Sequence, residues 1–190
     1  MLFSSFNVQL DKECLEKIKN KIKENYFIEN EFYTSYSELS NNYEFIKPFY
    51  SNVVENIIKK LGLYHISQYD WDYWIQMYNS NTDSHTIHNH FSGSEIISWV
   101  HFVETTGQKC FYFNGENETK VYPEDQNDND LIVFPSYLFH GVDPIKQKNK
   151  NRIVVAGNIF LRSIDCIDRS SKLFSNKIWN TTIWTEIPNH

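Results

Sequence analysis

The 190-residue sequence predicts a mainly β protein, a sandwich or barrel, with helices from its N-terminal third packed on one sheet. Three observations predict it. The first third holds two stretches of helical periodicity. From Trp71 the texture changes to short aromatic and β-branched runs separated by turn residues. Helices and strands do not alternate, which argues against a doubly wound α/β sheet.

In "LDKECLEKIKNKIKENY", Leu10, Cys14, Ile18 and Ile22 recur every fourth residue and make one apolar stripe, with Lys and Glu opposite. In "PFYSNVVENIIKKLG", Val53, Val54, Ile57, Ile58 and Leu61 form the buried face, and Gly62 stands where a C-terminal cap belongs. Strands are expected in "WDYWIQMYN", "EIISWVHFVE", "KCFYFNG", "DLIVFPS" (stopped by Pro135) and "RIVVAGNIF". "PEDQNDND" and "KQKNKNR" read as solvated turns. No linker or repeat interrupts the chain. It reads as one domain over 1–190, with a helical supporting layer (1–66), a β core (67–162) and a C-terminal extension (163–190).

Aromatic residues make up 16% of the chain, enough for a large β core or a ring-lined cavity. A net charge of −6 gives no general attraction to nucleic acid or anionic lipid. Cys14, Cys110 and Cys166 are odd in number and show no CxxC spacing, so a reducing cytosol is the natural setting. No apolar run approaches the roughly 18 residues that a bilayer requires.

The informative stretch is "HTIHNHFSGSE", residues 85–95, with His85, His88 and His90. If it is a strand, alternation turns His88 and His90 to one face, where they could share a metal. His85 is expected to face solvent. A remote partner is His140, just after a buried strand and a proline turn. Nitrogen ligands with open positions suit non-haem Fe(II). Arg152 opens the next strand, and alternation places it with Val154, Ala156 and Asn158. An inward arginine needs an anion, and its planar fork favours a carboxylate. Asp143 is one core acid that could serve.

The blocks "HNH", "FPSYLFHGVDP" and "RIVVAGN" together resemble the 2-oxoglutarate/Fe(II)-dependent oxygenases, and are most similar to the prolyl-hydroxylase-like group of bacteria and phages, where H-x-H often replaces H-x-D. The resemblance spans roughly residues 71–160. It implies a double-stranded β-helix, or jelly roll, and a cytoplasmic enzyme (host cytoplasm if viral). Fe(II) would be held by His88 and His140; His90 stands where most members carry an acid, and either it or a water would take the third place. Arg152 would pair with the far carboxylate of 2-oxoglutarate. The implied reaction consumes O2 and 2-oxoglutarate, releases succinate and CO2, and hydroxylates a substrate, with peptidyl proline or a related residue as the first expectation. Gln76, Tyr78, Asn158 and His101 are further candidate cosubstrate contacts.

Two other readings use the same residues. Cupins share the jelly roll, and His88, His90, Glu95 and His140 resemble their ligand pattern; this reading needs no 2-oxoglutarate and leaves Arg152 unexplained. A non-enzymatic jelly-roll binding module would make the histidines incidental.

Overall fold

Capping and packing explain why the N-terminal third is helical. A computed structural model of the protein describes residues 3–25, 32–36, 43–63, 68–80, 82, 85–147 and 150–163. After a short strand β1 (Ser4–Asn7), helix α1 runs Lys12–Asn25. Asp11 opens it by accepting the Cys14 N–H at 2.8 Å. Following β2 (Phe32–Thr34), helix α2 runs Lys47–Lys60 with Pro48 in its first turn. Its C-terminus closes as the sequence predicts. Gly62 takes φ 70°, its N–H donates to Lys59 O, and the Leu63 N–H donates to Ile58 O. This paired closure needs a residue tolerant of the left-handed region.

The remaining strands are β3 (Gln68–Tyr78), β4 (His85–His88), β5 (Glu95–Glu104), β6 (Phe111–Asn114), β7 (Lys120–Val121), β8 (Asp130–Pro135), β9 (His140–Val142) and β10 (Arg152–Ser163). They form an antiparallel six-stranded sheet, β1-β8-β5-β10-β3-β2, and a four-stranded sheet, β4-β9-β6-β7. All five strands expected from the sequence are present. β1, β2 and β9 have three or four residues each, too few for alternation to declare itself. The supporting layer is therefore not purely helical, because β1 and β2 join the larger sheet.

Two apolar layers hold the architecture together. On one face of the larger sheet, Ile75, Ile97, Val103, Val133, Ile153 and Val155 pack with Ile18, Ile22, Val54 and Ile57 of the helices. Between the sheets, Val100, Phe102, Phe111, Phe113, Ile132, Phe134 and Val154 form the second layer. The period of two explains the division, since neighbouring residues of β5, β8 and β10 go to opposite layers. Gly157 marks where that packing is tightest: a Cβ there would lie 2.2 Å from the Asp72 carbonyl and 2.5 Å from the Trp99 ring. The 163–190 extension, including Cys166, lies outside the described residues apart from the strand end at Ser163.

Candidate metal centre and anion pocket

His88 and His140 face each other as a cross-strand pair of β4 and β9, with ring centroids 4.4 Å apart. Such pairs stand side by side on one face of a ladder. His90 arrives differently. β4 ends at His88, so His90 is not its alternation partner on a strand, contrary to the sequence reading. The backbone leaves the strand, and the His90 N–H donates to Ser136 O at 2.9 Å. The result brings one candidate ligand atom from each of His88, His90 and His140 within 4.8 Å of one another. It is the one group of three or more such side chains among the described residues.

Backbone carbonyls fix two of the three tautomers. His88 Nδ1–H donates to Thr86 O at 2.8 Å, and His140 Nδ1–H donates to Leu138 O at 3.0 Å. Each ring therefore presents a bare Nε2, the usual way a protein readies a histidine for a cation. His90 Nε2 lies 3.3 Å from His140 Nε2. Two nitrogens bound at right angles to one ion about 2.1 Å away stand about 3 Å apart, so the spacing fits a shared metal. In the metal-free protein the His90 Nε2–H donates weakly across this gap. Burial, reinforced by His88, lowers His90 to about 4 and His140 to about 3, so both are neutral near pH 7. Phe134 and Phe111 press on the His140 ring at 4.9 and 5.5 Å, and Trp74 lies 5.4 Å from His90.

The histidines open into a cavity of about 360 Å³ between the sheets, and Arg152 lines the same cavity. Arg152 is 1% exposed, and its guanidinium lies over the rings of Tyr78 and Phe102, at 5.4 and 5.1 Å. Nε and Nη1 have no hydrogen-bond partner among the described residues. Burial pushes the arginine's pKa down, as expected for a cation lacking an anion. Asp143 does not serve: it binds Lys120 and Tyr122 on the outside of the smaller sheet. A buried guanidinium with two unpartnered nitrogens, lining one cavity with a nest of imidazoles, has the chemistry to bind a small dicarboxylate.

Gln76 and Tyr78 line the cavity, and the Tyr78 O–H donates to Gln76 Oε1 at 2.7 Å. The ladder explains their place: Tyr78 pairs with Arg152, Gln76 with Val154, and Trp74 with Ala156. His85 departs from its expected solvent position. It is half-buried, stacked on His88 at 4.6 Å, and its ring bonds the Tyr78 hydroxyl at 2.9 Å.

Two candidates are not brought to the cavity. His101 faces the helical layer, where its Nδ1 and the Tyr50 hydroxyl lie 2.7 Å apart; β5 alternation turns Val100 inward and His101 outward. Asn158 is on the inner face but one step beyond the cavity wall, held by Ser98 and Asp72. Glu95 folds back onto its own loop and accepts from Ser92 Oγ at 2.6 Å and from the Ser92 and Ser94 N–H groups. It stands outside the histidine group.

No protein-family model and no curated protein matches the sequence. Solved structures do match. An oxidoreductase of the 2OG-Fe(II) oxygenase family from Burkholderia pseudomallei is 12% identical, with 84% of each chain covered and a TM-score of 0.61. The viral collagen prolyl hydroxylase of Paramecium Bursaria Chlorella virus-1, solved with 2OG, is 14% identical over 86% of this chain and 97% of that one, with a TM-score of 0.58. The prolyl hydroxylase of Trichoplax adhaerens, in complex with a hypoxia inducible factor peptide fragment, is 15% identical over 84% of this chain and 83% of that one, also at 0.58. The fold is the jelly roll of the 2OG-Fe(II) oxygenases. At these identities the likeness concerns the fold, and the chemistry rests on the residues of this chain.

Sequence reasoning missed Trp74, Thr34, Tyr36 and Asn89, which complete the cavity wall. Trp74 shares the face of Gln76 and Tyr78 by alternation, so it could have been inferred once that face was chosen. Thr34 and Tyr36 come from β2 and the turn after it, a region without a strand signal.

Proposed function

We propose that the protein is an Fe(II)- and 2-oxoglutarate-dependent oxygenase that hydroxylates a peptidyl substrate, with a prolyl or related residue as the first candidate. The observation that carries the reading is a buried Arg152, its Nε and Nη1 without a partner among the described residues, in the same cavity as three converging histidines. A metal nest alone would suit many activities. A buried cation with no acid partner among the described residues calls for an anion that enters with the reaction.

On this reading His88, His90 and His140 hold the metal, and Arg152 grips the distal carboxylate of 2-oxoglutarate. Bound iron and 2-oxoglutarate supply the O2-activating redox chemistry, with succinate and CO2 as co-products. The protein's own groups do the positioning. Tyr78 stays protonated because burial pushes its hydroxyl above the usual phenol range, so it remains a donor beside the arginine. Phe111, Phe134 and Val154 exclude water around the carboxylate path. Support for a peptide substrate comes from the Trichoplax neighbour, whose structure contains a peptide. Glu95 is committed to its loop, so nothing at the site favours the cupin ligand set.

Anaerobic titration of Fe(II) and 2-oxoglutarate into the protein should produce a weak visible metal-to-ligand charge-transfer band. In air the loaded protein should release succinate slowly even without substrate. No band and no succinate would sink the proposal.

A further inference from the structure

Beyond the cavity lies a buried polar chain that the proposed chemistry does not use. Ser98, Ser136 and Asn158 are 1%, 0% and 4% exposed. Three hydroxyl or amide side chains in an apolar interior need a reason, because each must find its partners inside the protein. Ser98 Oγ lies 2.8 Å from Asn158 Oδ1 and 3.0 Å from Ser136 Oγ. One hydroxyl proton cannot serve both. The amide oxygen can only accept, so the Ser98 O–H donates to Asn158 and the Ser136 O–H donates to Ser98. Asp72 secures the far end by accepting the Asn158 N–H at 2.9 Å.

The near end of this chain is the peptide that holds His90. Ser136 O accepts the His90 N–H, and the Ser136 N–H donates to Ile96 O at 3.1 Å. His90 has left its strand, so the sheet ladder does not fix its height above the metal nest. Ser136 also begins the turn that delivers His140 four residues later. The backbone of Ser136 thus holds His90 and leads into the turn to His140, and its side chain is anchored sideways to β5 and β10 through Ser98 and Asn158.

We infer that Asn158, Ser98 and Ser136 are positioning residues that set His90 against His140 and so tune the affinity and geometry of the metal centre. The inference rests on the three histidines being metal ligands.

The test is anaerobic Co(II) and Fe(II) titration of the full chain, with the Co(II) ligand-field spectrum and thermal unfolding of the metal-free proteins measured alongside. Ser98→Ala and Ser136→Ala should each weaken metal binding by roughly ten-fold or more. Their Co(II) spectra should shift toward that of His90→Ala. The double variant should be no weaker than the worse single variant, because both break one chain. A purely structural role predicts lower unfolding temperatures with metal affinity and spectrum unchanged, and that result overturns the inference, as do additive losses. If Ser98→Ala fails to fold, Ser136→Ala decides alone, since it keeps the carbonyl that holds His90. Unaltered binding in the variants would leave the metal reading intact. A wild-type protein that takes up neither ion would overturn both.

Discussion

Arg152 sits in the interior with a positive charge and no ion-pair partner among the described residues. Such a residue lowers stability until its anion binds. Arg152→Met is therefore expected to act in two opposite ways. Affinity for 2-oxoglutarate should fall by about 2–5 kcal/mol, the usual cost of removing one partner from a buried charge pair, while metal binding persists. The protein without 2-oxoglutarate should unfold at a higher temperature than wild type. Calorimetric titration and a thermal melt check the two halves. His101 gives a second prediction. Burial holds its imidazole neutral down to about 4, whereas the unfolded chain takes up that proton near 6.5. The unfolded state binds more protons in that window, so stability is full above about pH 6.5 and falls as pH drops towards 4, by up to about 3 kcal/mol from this residue. His85, His90 and His140 act with the same sign in the metal-free protein. Denaturant unfolding at pH 7 and 4.5 should show a smaller loss in His101→Phe than in wild type; an equal loss refutes the assignment. At this scale the presence of His140 and Arg152 on one cavity wall was legible, because each stands beside a strong strand signal. His101 and Asn158 were misplaced because the sequence does not say which strand face looks inward, or how far along it the cavity ends.

β10 is the element that joins the site to the rest of the fold. Arg152, Val154 and Ala156 line the cavity, while Ile153, Val155 and Ile159 pack under the helices. Gly157 lets it lie close to β3 and Trp99. Gly157→Ala must displace backbone rather than a flexible side-chain tip, so it should destabilise the protein by about 2–3 kcal/mol or more, at the upper end of overpacking costs. Urea unfolding of the variant measures this; a loss below 1 kcal/mol would show that the two strands yield easily. The long strands were readable because ten or more residues of alternation outweigh local noise. β4 and β9 were not, since four and three residues around a bulged register carry little pattern. Their pairing decides how the metal nest is built. The loop "PEDQNDND" read as a plain turn, yet buried Gln126 fastens it to Cys110 and Phe111 by three hydrogen bonds and braces it internally by a fourth to the Pro123 carbonyl. A lone glutamine in a polar stretch gives no sign of that.

At the scale of the whole molecule, the described residues form a helical layer, a large sheet and a small sheet, with the three histidines and the arginine lining one cavity. Ligands for this cavity bind the folded chain and not the unfolded one, so they should stabilise all three layers together. With Fe(II) and 2-oxoglutarate at about 100 times their dissociation constants, each should add about 2.7 kcal/mol. A chelator should remove the gain, as a thermal melt under anaerobic conditions would show; a melt indifferent to both ligands contradicts the proposed site. Among the described residues no helix is long and apolar enough to cross a membrane. The layered order was legible from the change of texture at Trp71. The convergence of the sheets was not, because strand order depends on pairing and not on composition.

Among the described residues the histidine nest contains no carboxylate. An ion held by three uncharged rings keeps its whole double charge, and Arg152 adds a third positive charge to the same cavity. Either guest alone leaves charge uncompensated: the metal leaves the full excess, and a dianion without metal meets only the arginine. Together they nearly cancel. On the proposed reading the two should therefore bind with positive cooperativity, each raising the affinity of the other by the same factor. The protein would then respond to the coincidence of iron and cosubstrate, and hardly to either one by itself.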